Sequence, residues 1–213
     1  MQTGKLRNLA LLGTIGAWAV IAMSLACALV IVVWAAYRNP YAALDPLTAL
    51  LFFGRLALNA VFLLSAIPVL LWFYTAHAGL HAAGIKGLRR TPIWATASFL
   101  VPFANLYVPF AATRELANRS AGEPEHFADS SVDAVTSWWG CWVASAIVMT
   151  LVTVFTFIDA IPGVHVIIPT LATMLILMFG QLLFAGSAFF LIKVMRLVTD
   201  SQTNGAVDLA TFE

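Results

Sequence analysis

The sequence predicts an all-α membrane protein: four transmembrane helices plus a proline-broken re-entrant or interfacial segment on the cytoplasmic side. Three observations predict it. First, 62% of the 213 residues are hydrophobic and only 10% are charged, where a soluble globular chain is about 45–50% apolar and about 25% charged. A water-facing domain cannot cover itself with so few polar groups, whereas a bilayer asks for none. Second, four apolar runs reach the roughly 20 residues that a spanning helix needs. Third, the basic residues are segregated. Lys5, Arg7, Lys86, Arg89, Arg90, Arg114, Arg119, Lys193 and Arg196 fall on one side of a four-span chain, and Arg38 and Arg55 on the other.

The first span, residues 9–34, carries no charge and is too long for the short apolar core of a cleaved signal peptide. Trp34, Tyr37 and Tyr41 mark a headgroup level at its end. The second span covers about 56–76, with Trp72, Phe73 and Tyr74 near its far end. The third, about 135–158, opens on Trp138, Trp139 and Trp142. The fourth, about 166–192, has Pro169 in its first turn, where a missing N–H costs little. Together these make a single membrane domain over the whole chain.

The apolar stretch 92–113 is different. Pro92, Pro102 and Pro109 interrupt it, with Asn105 between the last two. Proline removes a helical hydrogen bond and clashes with the preceding turn, so a straight lipid-facing helix is excluded. A full crossing would also put Lys86, Arg89 and Arg90 opposite the C-terminal basic residues. The four-span arrangement separates charge better and places both termini and the loop 114–134 in the cytoplasm. Such a chain belongs in the cytoplasmic (inner) membrane. The loops on the other face are short and rich in turn residues, as at Ile161-Pro162-Gly163.

Small residues, Gly13, Gly16 and Ala17 on the first span and Gly180, Ala185 and Gly186 on the fourth, predict close helix contacts, within the chain or between copies in a homo-oligomer. Asn59, Ser145, Thr150 and Gln181 are the polar side chains at mid-span, expected to hydrogen-bond between helices; no ionisable group lies at mid-depth, which argues against a pump. His77 and His81 stand four apart and share a helical face, a weak metal or haem candidate with no third ligand in view. Glu123, Glu125, His126, Asp129 and Asp133 read as a solvated loop that caps the third span. No phosphate-cradling glycine loop and no hydrolase or zincin motif appears. A net charge of +1 gives no reason to expect nucleic acid. An enzyme is unsupported and no cofactor is expected.

The run from Phe99 to Phe110, with Pro102, Asn105, Leu106 and Pro109 at fixed spacing, is followed by Arg114-Glu115-Leu116 and then by the pair Trp138-Trp139. This pattern resembles the domain-of-unknown-function family 4328, a group of polytopic bacterial membrane proteins, over roughly residues 50–195. Trp94 falls where that family often has an aromatic. Ala117 and Val108 depart from it, where a tryptophan and a basic residue are frequent. The resemblance implies a polytopic membrane protein and carries no activity. Together with the residues' own chemistry it singles out Trp94, Pro102, Asn105, Pro109, Arg114, Glu115, Trp138 and Trp139 as the candidate binding residues. The leading expectation is a non-enzymatic module that binds a protein partner, in the membrane or the cytoplasm, or a lipid through this segment. The alternatives are a small oligomeric transporter or channel, and a haem- or metal-binding redox subunit.

Overall fold

The computed structural model describes residues 2–37, 45–123, 130–159, 161–163 and 169–211, with the side chains of residues 2, 130–132, 170 and 205–211 outside the description. Every regular element among them is helical. Four long helices carry the apolar spans: α1 (Gln2–Tyr37), α2 (Pro46–Ala82), α5 (Ser130–Asp159) and α6 (Thr170–Thr211). Each is long and apolar enough to cross a bilayer, and the chain is a multi-pass membrane protein. Between α2 and α5 lie two short helices, α3 (Pro92–Ala97) and α4 (Val108–Ser120), joined by turns and a single 3-10 turn at Ala104–Leu106.

Capping residues set the starts. Asp45 accepts the backbone N–H of Thr48 at 3.1 Å, and Pro46 follows it at the first helical position, so α2 begins well before the apolar run 56–76. The helix also carries Pro68 in its interior, which the span reading passes over. The turn Arg38-Asn39-Pro40, Tyr41, Glu125, His126, Asp129 and His165 lie outside the described residues.

The long helices pack in the order α2–α1–α6–α5, since α1 touches both α2 and α6 extensively, and α6 touches α5. Small residues make these approaches possible. A Cβ on Gly16 would meet Ser65 at 2.8 Å, one on Gly13 would meet the Met195 sulfur at 3.0 Å, and one on Gly180 would meet Met149 at 2.6 Å. In a membrane, dispersion between close backbones replaces the hydrophobic drive. Ser145 on α5 donates its hydroxyl to the Gly180 carbonyl at 3.1 Å. The interhelical bonds expected of Asn59 and Gln181 are not formed: Asn59 is exposed, and Gln181 Oε1 is buried without a partner.

The proline-broken segment returns to the side it leaves. Its two ends meet where Arg119 Nη2 donates to the Gly87 carbonyl at 3.5 Å and where Arg90 pairs with Glu115. A six-residue α3 spans only about 9 Å, so no crossing is possible. The prolines begin helices here rather than break them. Pro92 and Pro109 occupy the first positions of α3 and α4, and Pro102 sits in the turn between. Residues 114–120, expected as loop, continue α4. Their Ala, Arg, Glu and Leu are good helix formers, and Gly122, at φ +80°, ends the helix by turning the chain so that the Glu123 N–H reaches back to the Asn118 carbonyl at 2.9 Å.

Candidate functional site

α4 is a polar helix that is nonetheless buried along much of its length. Pro109, Ala112, Thr113, Glu115, Leu116, Ala117 and Asn118 are all shielded. It packs on α5, α6 and α2, and so lies across the end of the helix row. Burying Glu115 completely would be costly for a lone carboxylate, and the structure compensates it twice. The Arg89 backbone N–H donates to Oε1, and Arg90 Nη1 donates to Oε2 at 2.8 Å. Arg90 also reaches the Ala111 carbonyl at 3.4 Å. The loop 83–91 is thereby clamped onto α4. A second tie runs from α6, where Gln202 Nε2 donates to the Ala76 carbonyl at 3.2 Å and to Ser120 Oγ at 2.9 Å.

Beneath this clamp α2 and α5, the two ends of the row, face each other through rings. Phe62 stacks on Trp142, with centroids 5.5 Å apart and planes 23° apart, and Phe184 of α6 packs on both. Nearer α4, a chain of rings runs Phe73–Phe99–Trp138–Trp139–Phe110, each pair 5.3 to 6.5 Å between centroids. Between the two sets of rings is a cavity of about 290 Å³. Its walls are Trp72, Phe73, Trp138, Trp139, Trp142 and Phe184, with aliphatic groups from α1, α2 and α6, and Phe99, Leu100 and Asn105 of the broken segment line one side of it. The polar groups on the wall are few and mostly occupied. Ser65 and Thr113 donate to carbonyls one turn back in their own helices, and Trp72 Nε1 donates to Thr199 at 3.0 Å.

The expected site residues therefore divide. Asn105, Trp138 and Trp139 come together on the cavity wall. Pro109 and Glu115 are buried and hold α4 in place. Trp94 and Pro102 are exposed and stand apart from the cavity, and Arg114 is half-buried. Asn105 does not cap α4, whose N-cap is Tyr107 with no side-chain bond. Sequence reasoning did not assign Phe62, Phe99, Trp142 or Phe184 to the site. Aromatics in an apolar run carry no mark of which face they take, although Trp142 one turn beyond the tryptophan pair was a usable signal.

His77 and His81 do not converge. His77 is fully buried edge-on to Phe73, centroids 4.7 Å apart, while His81 is exposed with Nδ1 3.0 Å from the His77 carbonyl oxygen. Neither His77 nitrogen makes a hydrogen bond. No group of three potential metal ligands is found among the described residues.

The exposed face of the broken segment is apolar. Leu100, Phe103, Leu106 and Tyr107 project from its tip, and Phe103 is 87% exposed. On a soluble protein such a patch would be a liability, whereas on a segment docked at a bilayer it faces lipid.

No curated protein and no solved structure matches this chain. A family model does, over residues 46–200, which takes in α2 through most of α6 and every residue of the cavity apart from the α1 wall. By that match the chain belongs to the family described as domain of unknown function DUF4328.

Proposed function

We propose that the protein is a non-enzymatic membrane module that holds an apolar lipid chain in the aromatic cavity beneath its re-entrant segment. One observation carries this reading: about 290 Å³ of space bounded almost wholly by rings and aliphatic groups, with the Asn105 amide on its wall. Ligand pockets are mostly apolar with a few placed polar groups. A hydrated ion or a polar metabolite would find too few partners here to replace its water. A hydrocarbon chain gives up no hydrogen bonds on entering and gains dispersion contacts with the rings. The clamp of Arg90 and Glu115 keeps α4 and the segment over the cavity. The distribution of Lys and Arg supports a clamp that faces the cytoplasm, with both termini there, and an α-helical bundle with this family pattern fits a bacterial inner membrane.

Cavity filling tests the reading. Ala188 lines the cavity, whereas Leu64 is exposed on the outer face of α2. Native mass spectrometry of the purified chain is expected to show a co-purifying lipid that Ala188→Phe reduces by about tenfold and Leu64→Phe leaves in place, the ratio a loss of one to two kcal/mol gives. Equal lipid retention by both variants, each eluting as the native species, would remove the cavity from consideration.

A further inference from the structure

We infer a second binding site, on the other side of the Phe62–Trp142 ring layer from the cavity, for the anionic, hydroxyl-bearing headgroup of a phospholipid. It is a crevice of about 200 Å³ between α2, α5 and α6, lined by Arg55, Asn59, Ser145 and Gln181 and floored by Phe62 and Trp142. It goes beyond the cavity reading, because its chemistry is polar.

Two features point to the ligand. Gln181 is only 6% exposed, and its carbonyl Oε1 is buried with no hydrogen-bond partner. An orphaned buried acceptor costs about 1–3 kcal/mol. The Ser145 hydroxyl cannot relieve it, because it already donates to the Gly180 carbonyl. The missing group is therefore a donor, such as a hydroxyl. Arg55 supplies the other half. No carboxylate pairs with it among the described residues. It also lies deep: Trp34 Nε1 donates to Thr48 Oγ1 at 3.0 Å, joining α1 and α2 at the level where tryptophan meets headgroups, and Arg55 is seven residues further into α2, roughly 10 Å along the axis. An unpaired arginine at that depth calls for an anion, and a guanidinium suits a phosphate. Arg55 is exposed and Gln181 is buried in the same crevice, so a phosphodiester bound at Arg55 would direct its terminal hydroxyl inward to Gln181.

The test compares lipids that differ in one group. The full chain in detergent is titrated with phosphatidylglycerol, with phosphatidylmethanol (the same charge without the hydroxyl) and with phosphatidylcholine, and each bound fraction is read by native mass spectrometry. Phosphatidylglycerol is expected to bind about tenfold more tightly than phosphatidylmethanol, and that in turn more tightly than phosphatidylcholine, each step worth one charge-assisted or neutral hydrogen bond. Gln181→Leu should erase the first difference and keep the second. Arg55→Gln should erase the second, and Arg55→Lys should retain it, which separates loss of charge from loss of fold. Equal binding of the three lipids by the native chain would overturn the proposal, as would an Arg55→Gln variant that keeps the preference. Free glycerol phosphate binding as tightly as the lipid would overturn the assignment to a lipid.

Discussion

Glu115 shows how much of the fold hangs on single side chains. It is fully buried, and removing either member of a buried ion pair leaves the other charge uncompensated, at a cost on the order of 3 kcal/mol or more. Glu115→Ala is therefore expected to unfold at markedly lower temperature, whereas Arg114→Ala, which removes a half-buried side chain with no clamp role, should lose much less. Differential scanning fluorimetry of the detergent-solubilised chain reads both. The glycines give a sharper contrast. At Gly16 the added methyl would meet the Cβ of Ser65 at 2.8 Å and its backbone Cα at 3.1 Å, and a helix must move to make room. At Gly180 the closest obstacle is the terminal methyl of Met149, a flexible group that can rotate away, and Val148 Cγ1 at 3.1 Å need give only a few tenths of an ångström. Gly16→Ala should cost about 1–3 kcal/mol and Gly180→Ala much less, measured as shifts in the unfolding midpoint. The sequence showed which glycines would serve contacts, because small residues recur along the spans. It did not show that Glu115 is buried or that Arg90 holds it, since that pairing joins residues 25 apart across a turn and no periodicity connects them.

At the scale of elements, the segment from α3 to α4 was legible through its prolines and illegible in its shape. Three prolines in a short apolar run exclude a straight helix, and the structure agrees. The extent of α4 was hidden because Arg114, Glu115, Asn118 and Arg119 read as loop chemistry, although the same residues are amphipathic at helical spacing. Phe103 holds a left-handed backbone, φ +64°, which few bulky residues adopt. That conformation turns the chain at the apolar tip and points the ring outward. The tip is accordingly expected to sit in lipid. A Phe103→Trp reporter in a chain whose native tryptophans are replaced by phenylalanine should emit in the blue and be quenched by brominated acyl chains in liposomes. Red-shifted emission quenched only by aqueous iodide would place the tip in water instead.

For the whole molecule, the number of spans followed from apolar run length and charge placement, because a bilayer imposes both on the sequence. The lateral order α2–α1–α6–α5 did not, since lipid-facing and protein-facing sides of these helices are equally apolar. Nor did the cavity, which arises because α2 and α5, the two ends of that row, approach through rings while α4 covers one end. Five of the eight expected site residues, Asn105, Trp138, Trp139, Pro109 and Glu115, reach the cavity or hold its cover; Trp94 and Pro102 stand apart because residues adjacent in a motif need not face one way once the chain turns.

A photoreactive acyl chain reports most directly on whether that space holds lipid. Cells or liposomes carrying the protein would be supplied with a diazirine phospholipid, irradiated, and the cross-linked peptides mapped by mass spectrometry. Adducts on Phe99, Trp138 and Ala188, lost when unlabelled lipid is added in excess, are the expected result. Adducts confined to the outward-facing Leu64 and Ile67, with none on the cavity wall, would show that lipid surrounds the bundle and does not enter it.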